Sequence, residues 1–360
     1  MNASAATRPE PLNPHHAPPP DRYCDMVLKG GVVDGVVYPW AIMELARAYR
    51  FKNISGTSVG AVAAALTAAA EYSRRYGSTA GFNEVLLKVP EKLAEAVGQD
   101  TRLYSLFQPT PGGGQRLFNL FVAAFGKTKQ VSGIWYAYGW QALLVGVAVG
   151  LTVGHFGQVH AFQATLDGVF GAAVFAVAVF GFDLLALARN GFGLCSGKRT
   201  DPSPRGSAAF TDWLHEGIQG AAQRPLDQPL TFRHLWDAPG GAGAASVPST
   251  RPTRKPRSID LRMISTSLTH GRPYGLPLPD GSPQLFFKLD EWKPYFPDEV
   301  IAYLDQYVPL FKPKDGDPPV EGLRELPRGD LPVVVATRMS LSFPVLFKAV
   351  PLYAIYEEKP

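Results

Sequence analysis

Cysteine is almost missing from this 360-residue chain: it has two, Cys24 and Cys195, far apart and without metal-ligand spacing. That excludes a disulfide framework, makes a metal site unexpected, and reads as reduced thiols in an intracellular chain. Charge is scarce too. Asp, Glu, Lys and Arg make up 18% of the residues, where about a quarter is usual. The net charge is +4, and the basic residues are scattered among prolines and glycines in no clustered stripe, so no nucleic-acid partner is expected. The first 22 residues are rich in proline and lack the apolar core of about 7–15 residues that a secretory signal needs. They are expected to form a disordered leader.

What the chain does have is a long uncharged stretch. From Val131 to Leu166 there is no Asp, Glu, Lys or Arg, and after Asp167 a second such run lasts to Phe182. Two segments, 134–156 and 168–188, have the length of about 20 residues that a membrane helix requires. A polar turn separates them. Gly146, Gly150 and Gly154 recur every fourth residue, the small-residue ridge that lets two membrane helices approach closely. Trp135, Tyr136, Tyr138 and Trp140 are placed as interfacial aromatics. Lys127 and Lys129 before the pair, and Arg189, Lys198 and Arg199 after it, put both ends on the cytoplasmic side. The competing reading is a buried helical hairpin of a soluble protein.

Around this insertion the chain reads as α/β. An apolar strand at 26–28 ends in glycines, a helix is expected over 39–50, a second strand runs over 51–55, and an alanine-rich helix starts at residue 61. That alternation implies parallel strands with crossover helices. Further on, strands are expected at 259–266 and 331–336 and a short helix at 297–307.

Between the second strand and its helix lies Gly56-Thr57-Ser58-Val59-Gly60. A serine flanked by glycines two residues away on each side fits a sharp strand-to-helix turn, where it is presented as a nucleophile at the start of a helix. The pattern alone is weak; its setting between a strand and a long helix gives it weight. The preceding strand-to-helix turn, Lys29-Gly30-Gly31-Val32-Val33-Asp34-Gly35, offers backbone N–H groups at Gly30, Gly31 and Val32 to an oxyanion beside Ser58. Its rival reading, a dinucleotide turn, lacks the G-x-G-x-x-G spacing and an acidic residue for a ribose. His270 is the one histidine placed as a triad candidate, and its polar loop setting reads as structural.

The segments LKGGVVDGVVYPWAI, NISGTSVGAVAAAL and VVVATRMSLSFPVLFKAVPLY resemble the patatin-like phospholipase family, over residues 23–90 and 258–360. The resemblance implies a three-layer α/β/α sandwich with a parallel-rich sheet, interrupted here by the inserted hydrophobic helical hairpin. It implies Ser58 as nucleophile, a Ser–Asp dyad, no cofactor and no metal, with membrane lipids as substrate and anchoring surface. Two departures stand out: Val32 occupies a position that is usually glycine, and Asp34 one that is usually basic. The family's catalytic aspartate follows the last of these segments, whereas Asp34-Gly35, Asp167-Gly168, Asp280-Gly281 and Asp315-Gly316 all precede it. The expectation is therefore that the catalytic aspartate is not in this chain and that the sequence is a fragment.

The expected organisation is a leader over 1–22, a first catalytic part over 23–126, a membrane hairpin over 127–190, a flexible linker over 191–257 that includes one short helix over 208–222, and a second catalytic part over 258–360. The expected activity is acyl ester hydrolysis of (phospho)lipids at a membrane, with the catalytic part on the cytoplasmic side. A catalytically inactive membrane-anchored scaffold of the same fold and an acyltransferase using the same serine are the alternatives.

Overall fold

The computed structural model describes residues 8–13, 22–31, 34–98, 100–110, 113–125, 138–157, 160–199, 208–240, 257–312, 321–341 and 345–355. It divides into two compact units, the first comprising Met1–Phe107, Gly197–Ser342 and Val350–Pro360, the second Gln108–Ser196 and Phe343–Ala349.

The first unit is built on a four-stranded sheet. Strand β1 (Tyr23–Leu28) leads through helix α1 (Asp34–Ala48) to β2 (Arg50–Thr57), which passes directly into helix α2 (Val59–Arg75). Helix α3 (Phe210–Ala222) and strands β3 (Asp260–Ser267) and β4 (Arg272–Leu276) follow, then helix α4 (Val333–Ser340). The sheet order is β1-β2-β3-β4, with β1, β2 and β3 parallel and β4 antiparallel to β3. Leu28 pairs with Gly56, and Thr57 with Ile264. α2 lies on this sheet and is packed on nearly every side, with Ala61, Ala64, Ala65, Ala68, Ala69 and Ala70 all fully buried. Its alanines let neighbouring helices come close while keeping helix propensity high.

The mixed α/β fold with a parallel-rich sheet agrees with the sequence reading. The third layer is not seen among the described residues. Two successive right-handed crossovers that step the same way across a sheet set their helices on the same face, and β1→β2→β3 is such a progression. On the opposite face, among the described residues, Val27 is 86% and Ile264 46% exposed.

Three boundaries differ from expectation. The run 331–336, expected as a strand, lies within α4 and its N-terminal flank, with Pro332 as the N-cap and Val333 to Met339 buried. Within the expected flexible linker, α3 falls on the short helix expected over 208–222, while the short helix Phe232–Trp236, expected as linker, is also structured and belongs with α3 to the first unit. Gln219 ties α3 to the turn that follows, donating to the Gln228 carbonyl at 2.9 Å and accepting from Leu230 N–H at 2.7 Å. Within the expected disordered leader, Leu12 is buried, and its backbone exchanges hydrogen bonds with the Asn83 side chain at 2.7 and 3.0 Å.

The second unit contains the hairpin. Helices Trp140–Phe156 and Ala161–Arg189 pack along each other, preceded by Gly113–Phe125, and the short strands Gly193–Cys195 and Val345–Phe347 pair in parallel. The glycine ridge sits at the helix contact. A Cβ on Gly146 would lie 2.8 Å from the Gly168 carbonyl oxygen, one on Gly168 2.6 Å from that of Gly146, and one on Gly150 3.0 Å from that of Ala164. Only glycine permits that approach. Ala161–Arg189, at 29 residues, is long and apolar enough to cross a membrane by length and composition, and its large side chains point outward: Phe170 and Val177 are each 71% exposed. Trp140–Phe156 has 17 residues and falls just short; Trp135 and Tyr136 lie outside the described residues. Tyr138, expected at an interface, is instead buried and donates to Asp183 at 3.0 Å. Asp183 is itself buried in the long helix and takes two hydrogen bonds from Arg116, at 2.8 and 2.6 Å.

Candidate active site

Ser58 stands between β2 and α2 with φ 53° and ψ −126°. Positive φ is costly for a residue with a Cβ, and here it turns the chain from strand to helix within one residue. The glycines on either side are demanded by space. A Cβ at Gly56 would lie 2.3 Å from the Gly60 carbonyl oxygen, and one at Gly60 would lie 2.1 Å from that of Leu28. The start of α2 is thus pressed against the end of β1, and no larger residue fits at either position.

The turn after β1 meets the serine. A Cβ on Gly30 would lie 2.9 Å from Ser58 Cβ and 3.6 Å from its Oγ, so the Gly30 backbone borders the hydroxyl directly. Its N–H donates to Thr57 Oγ1 at 3.1 Å, and as an oxyanion donor it is engaged in this state. Gly31 follows it in the turn. Val32 lies outside the described residues. The N–H of Val59, at the first position of α2, has no partner inside the helix by position, and the residue after the nucleophile is the other usual source of an oxyanion donor.

Ser340, the last residue of α4, supplies a contact the sequence did not signal. Its hydroxyl accepts from Ser58 N–H at 3.3 Å and donates to the Ile264 carbonyl at 2.6 Å. Next to it, Ser265 Oγ donates to the Met339 carbonyl at 2.8 Å. The segment that carries the third block of family resemblance therefore holds the backbone of the Ser58 turn from the β3 side.

Among the described residues, no carboxylate or imidazole hydrogen-bonds the Ser58 hydroxyl. Asp280 sits in a turn beside Arg328 at 3.2 Å. Asp315 and the side chain of Asp34 lie outside the described residues. Three described histidines are engaged elsewhere. His215 Nε2 meets the Leu226 carbonyl at 3.0 Å, and burial lowers its pKa. His234 closes the cap of its own helix with Thr231. His270 Nδ1 lies 3.2 Å from the Tyr274 hydroxyl and 3.4 Å from Ser267 Oγ. Among the described residues no group of three His, Cys, Asp or Glu side chains is placed to hold a metal ion. Cys24 and Cys195 are free thiols.

No family model matches the chain, and no solved structure matches it. It is similar to a curated protein, the RpoH suppressor of Rhizobium meliloti (strain 1021), with 38% identity over 359 residues, covering 93% of this chain and 53% of that protein. The chain spans about half the length of this curated relative.

Proposed function

We propose that the chain carries the nucleophile half of a patatin-like serine acyl hydrolase that acts on acyl esters of membrane lipids. The observation that supports it most is the conformation of Ser58: a positive-φ serine at a strand-to-helix junction, hemmed by Gly56 and Gly60 and bordered by Gly30. The name of the Rhizobium relative specifies no reaction.

In this reading Ser58 Oγ attacks the ester carbonyl, and the negative charge that develops on the carbonyl oxygen is met by backbone N–H groups. Gly31 and the first turn of α2 are the donors, joined by Gly30 when Thr57 Oγ1 rotates away. The helix N-terminus favours the same charge. The hydroxyl proton passes to an aspartate outside the described residues, which later activates the water that releases the acyl group. The long apolar helix Ala161–Arg189 anchors the protein at the lipid surface, with the catalytic unit on the cytoplasmic side as the flanking lysines and arginines favour.

The test uses the full-length protein. Ser58→Ala should abolish fatty-acid release and covalent labelling by a fluorophosphonate; unchanged activity in that variant would sink the reading. Deleting residues 134–188 should move the protein from the membrane to the soluble fraction, and continued pelleting of a folded deletion variant would rule out the hairpin as anchor.

A second reading is a non-catalytic membrane-anchored scaffold of the same fold. It is favoured by the lack of a base beside Ser58 among the described residues. An acyltransferase would share the serine and its turn, and product analysis with an added alcohol separates it from a hydrolase.

A further inference from the structure

The strands beside the nucleophile continue past it. Thr57 pairs with Ile264, so Ser58 is level with Ser265, and Ser265 pairs with Tyr274 on β4. With neighbouring strands about 4.8 Å apart, the Tyr274 backbone lies about 10 Å across the sheet from Ser58. Two pairs further out, Ser267 faces Arg272. The β3–β4 hairpin thus rises beyond the carboxyl end of β2 and flanks the serine on one side.

This hairpin carries a cation held in place. The Arg272 guanidinium lies over the Tyr274 ring, 5.0 Å from its centre, and Arg272 Nε donates to the Tyr274 hydroxyl at 2.9 Å. The same hydroxyl is 3.2 Å from His270 Nδ1, whose backbone N–H donates to Ser267 Oγ at 3.2 Å. The stack folds the arginine back toward the level of Ser58. Among the described residues Arg272 forms no ion pair within 4 Å, and its polar contact is the Tyr274 hydroxyl. In the turn on the opposite side of the nucleophile, residues 30–35 contain no Lys or Arg and do contain Asp34.

We propose that Arg272, oriented by Tyr274 and accompanied by His270, receives the phosphate of a phospholipid whose acyl ester lies at Ser58. This rests on the hydrolase reading for the position of the ester. A glycerol unit separates phosphate from acyl carbonyl in such a lipid, a span that suits a guanidinium reaching in from the Arg272 backbone, which two strand spacings across and two residues along put roughly 12 Å from Ser58. A guanidinium donates paired hydrogen bonds to phosphate oxygens, which gives the site a selection for phosphate-bearing over neutral glycerolipid.

Two measurements on the full-length protein test it. The first compares fatty-acid release from phosphatidylglycerol and from diacylglycerol in the same detergent micelles. Arg272→Gln should lower the ratio of kcat/KM for the two lipids about 10-fold, the loss of one charge-assisted contact; an unchanged ratio overturns the proposal. The second needs no turnover. In the Ser58→Ala protein, modification of Arg272 by phenylglyoxal is followed by mass spectrometry. Phosphatidylglycerol micelles should slow it several-fold and diacylglycerol micelles should not. Equal rates in both overturn the proposal, and equal protection by inorganic phosphate at the same phosphate concentration overturns the assignment to a lipid headgroup. If the unmutated protein releases fatty acid from neither lipid while Arg272 is still protected by phosphatidylglycerol, the hydrolase reading falls and the phosphate site stands.

Discussion

Replacing Ser58 by glycine should make the protein more stable while destroying the activity proposed for it. Ser58 is held at φ 53° and ψ −126°, and a non-glycine residue in such a sparsely populated region costs about 1–3 kcal/mol. Glycine removes that cost but adds freedom to the unfolded chain, a penalty of about 0.4–1 kcal/mol. The net expectation is a gain of about 1 kcal/mol for Ser58→Gly over Ser58→Ala, since alanine keeps the Cβ and hence the strain. For a unit of this size that is a rise of roughly 2–4 °C in Tm. Glycine also removes the Cβ that Gly30 packs against, whereas alanine retains it. The assay is thermal unfolding of both full-length variants in detergent, followed by near-ultraviolet circular dichroism, with fluorophosphonate labelling lost in each. If Ser58→Gly melts at or below Ser58→Ala, the turn is not strained in solution and the argument from conformation to nucleophile fails.

Two further outcomes follow from buried charge. Arg116→Met would leave the Asp183 carboxylate, 1% exposed, with Tyr138 as its remaining partner, and breaking one side of a buried pair costs about 3–5 kcal/mol. Adding Asp183→Leu to that variant should restore most of the loss, measured by unfolding in detergent; a double variant no more stable than Arg116→Met would show that the pair is not what holds the long helix in register. Burial lowers the pKa of His215, so between its folded value and the ordinary value of about 6.5 the unfolded chain binds the extra proton. The contribution of His215 to stability is therefore complete above about pH 6.5 and is lost as the pH falls toward the folded pKa. His215→Gln should flatten the fall in urea midpoint between about pH 6.5 and 5.5, and an unchanged slope would refute the assignment.

The turn at Ser58 is legible because its requirements are local. A strand, a single sharp reversal and a helix pressed against a neighbouring strand leave room only for glycine at 56 and 60, and those residues are visible in one line of sequence. The hairpin was legible for a different reason: charge is absent over lengths that few soluble helices reach. Of the expected ridge, Gly146 and Gly150 sit at the helix contact, facing Gly168 and Ala164. The run at 331–336 reads as a strand but is helical, because a short apolar stretch rich in valine has no periodicity to separate buried strand from buried helix. Pro332 was the usable signal, since proline is favoured at helix starts, and burial of Val333 to Met339 on every side outweighs the modest helix propensity of valine. Ser340 could not be found at all, because its bond to Ser58 N–H joins positions 282 residues apart. Which face of the sheet each helix covers is a matter of direction across the sheet, which a one-dimensional pattern of strands and helices does not encode.

The strain at Ser58 also weighs between the two main readings. A scaffold that kept this fold for binding alone would be served better by glycine at 58, which satisfies the turn at lower cost. Here a serine takes the strained position, with Gly30, Gly56 and Gly60 shaped around it and Ser340 fastening its N–H. Strain of this kind persists where the surroundings over-determine it, and what it accomplishes is to bring one hydroxyl to the carboxyl end of the sheet at the start of a helix. Binding does not call for that placement, and nucleophilic attack on a carbonyl does. The lack of a base beside Ser58 among the described residues bears on where the proton goes; the geometry of the serine bears on which atom attacks, and the second supports the hydrolase reading independently of the first.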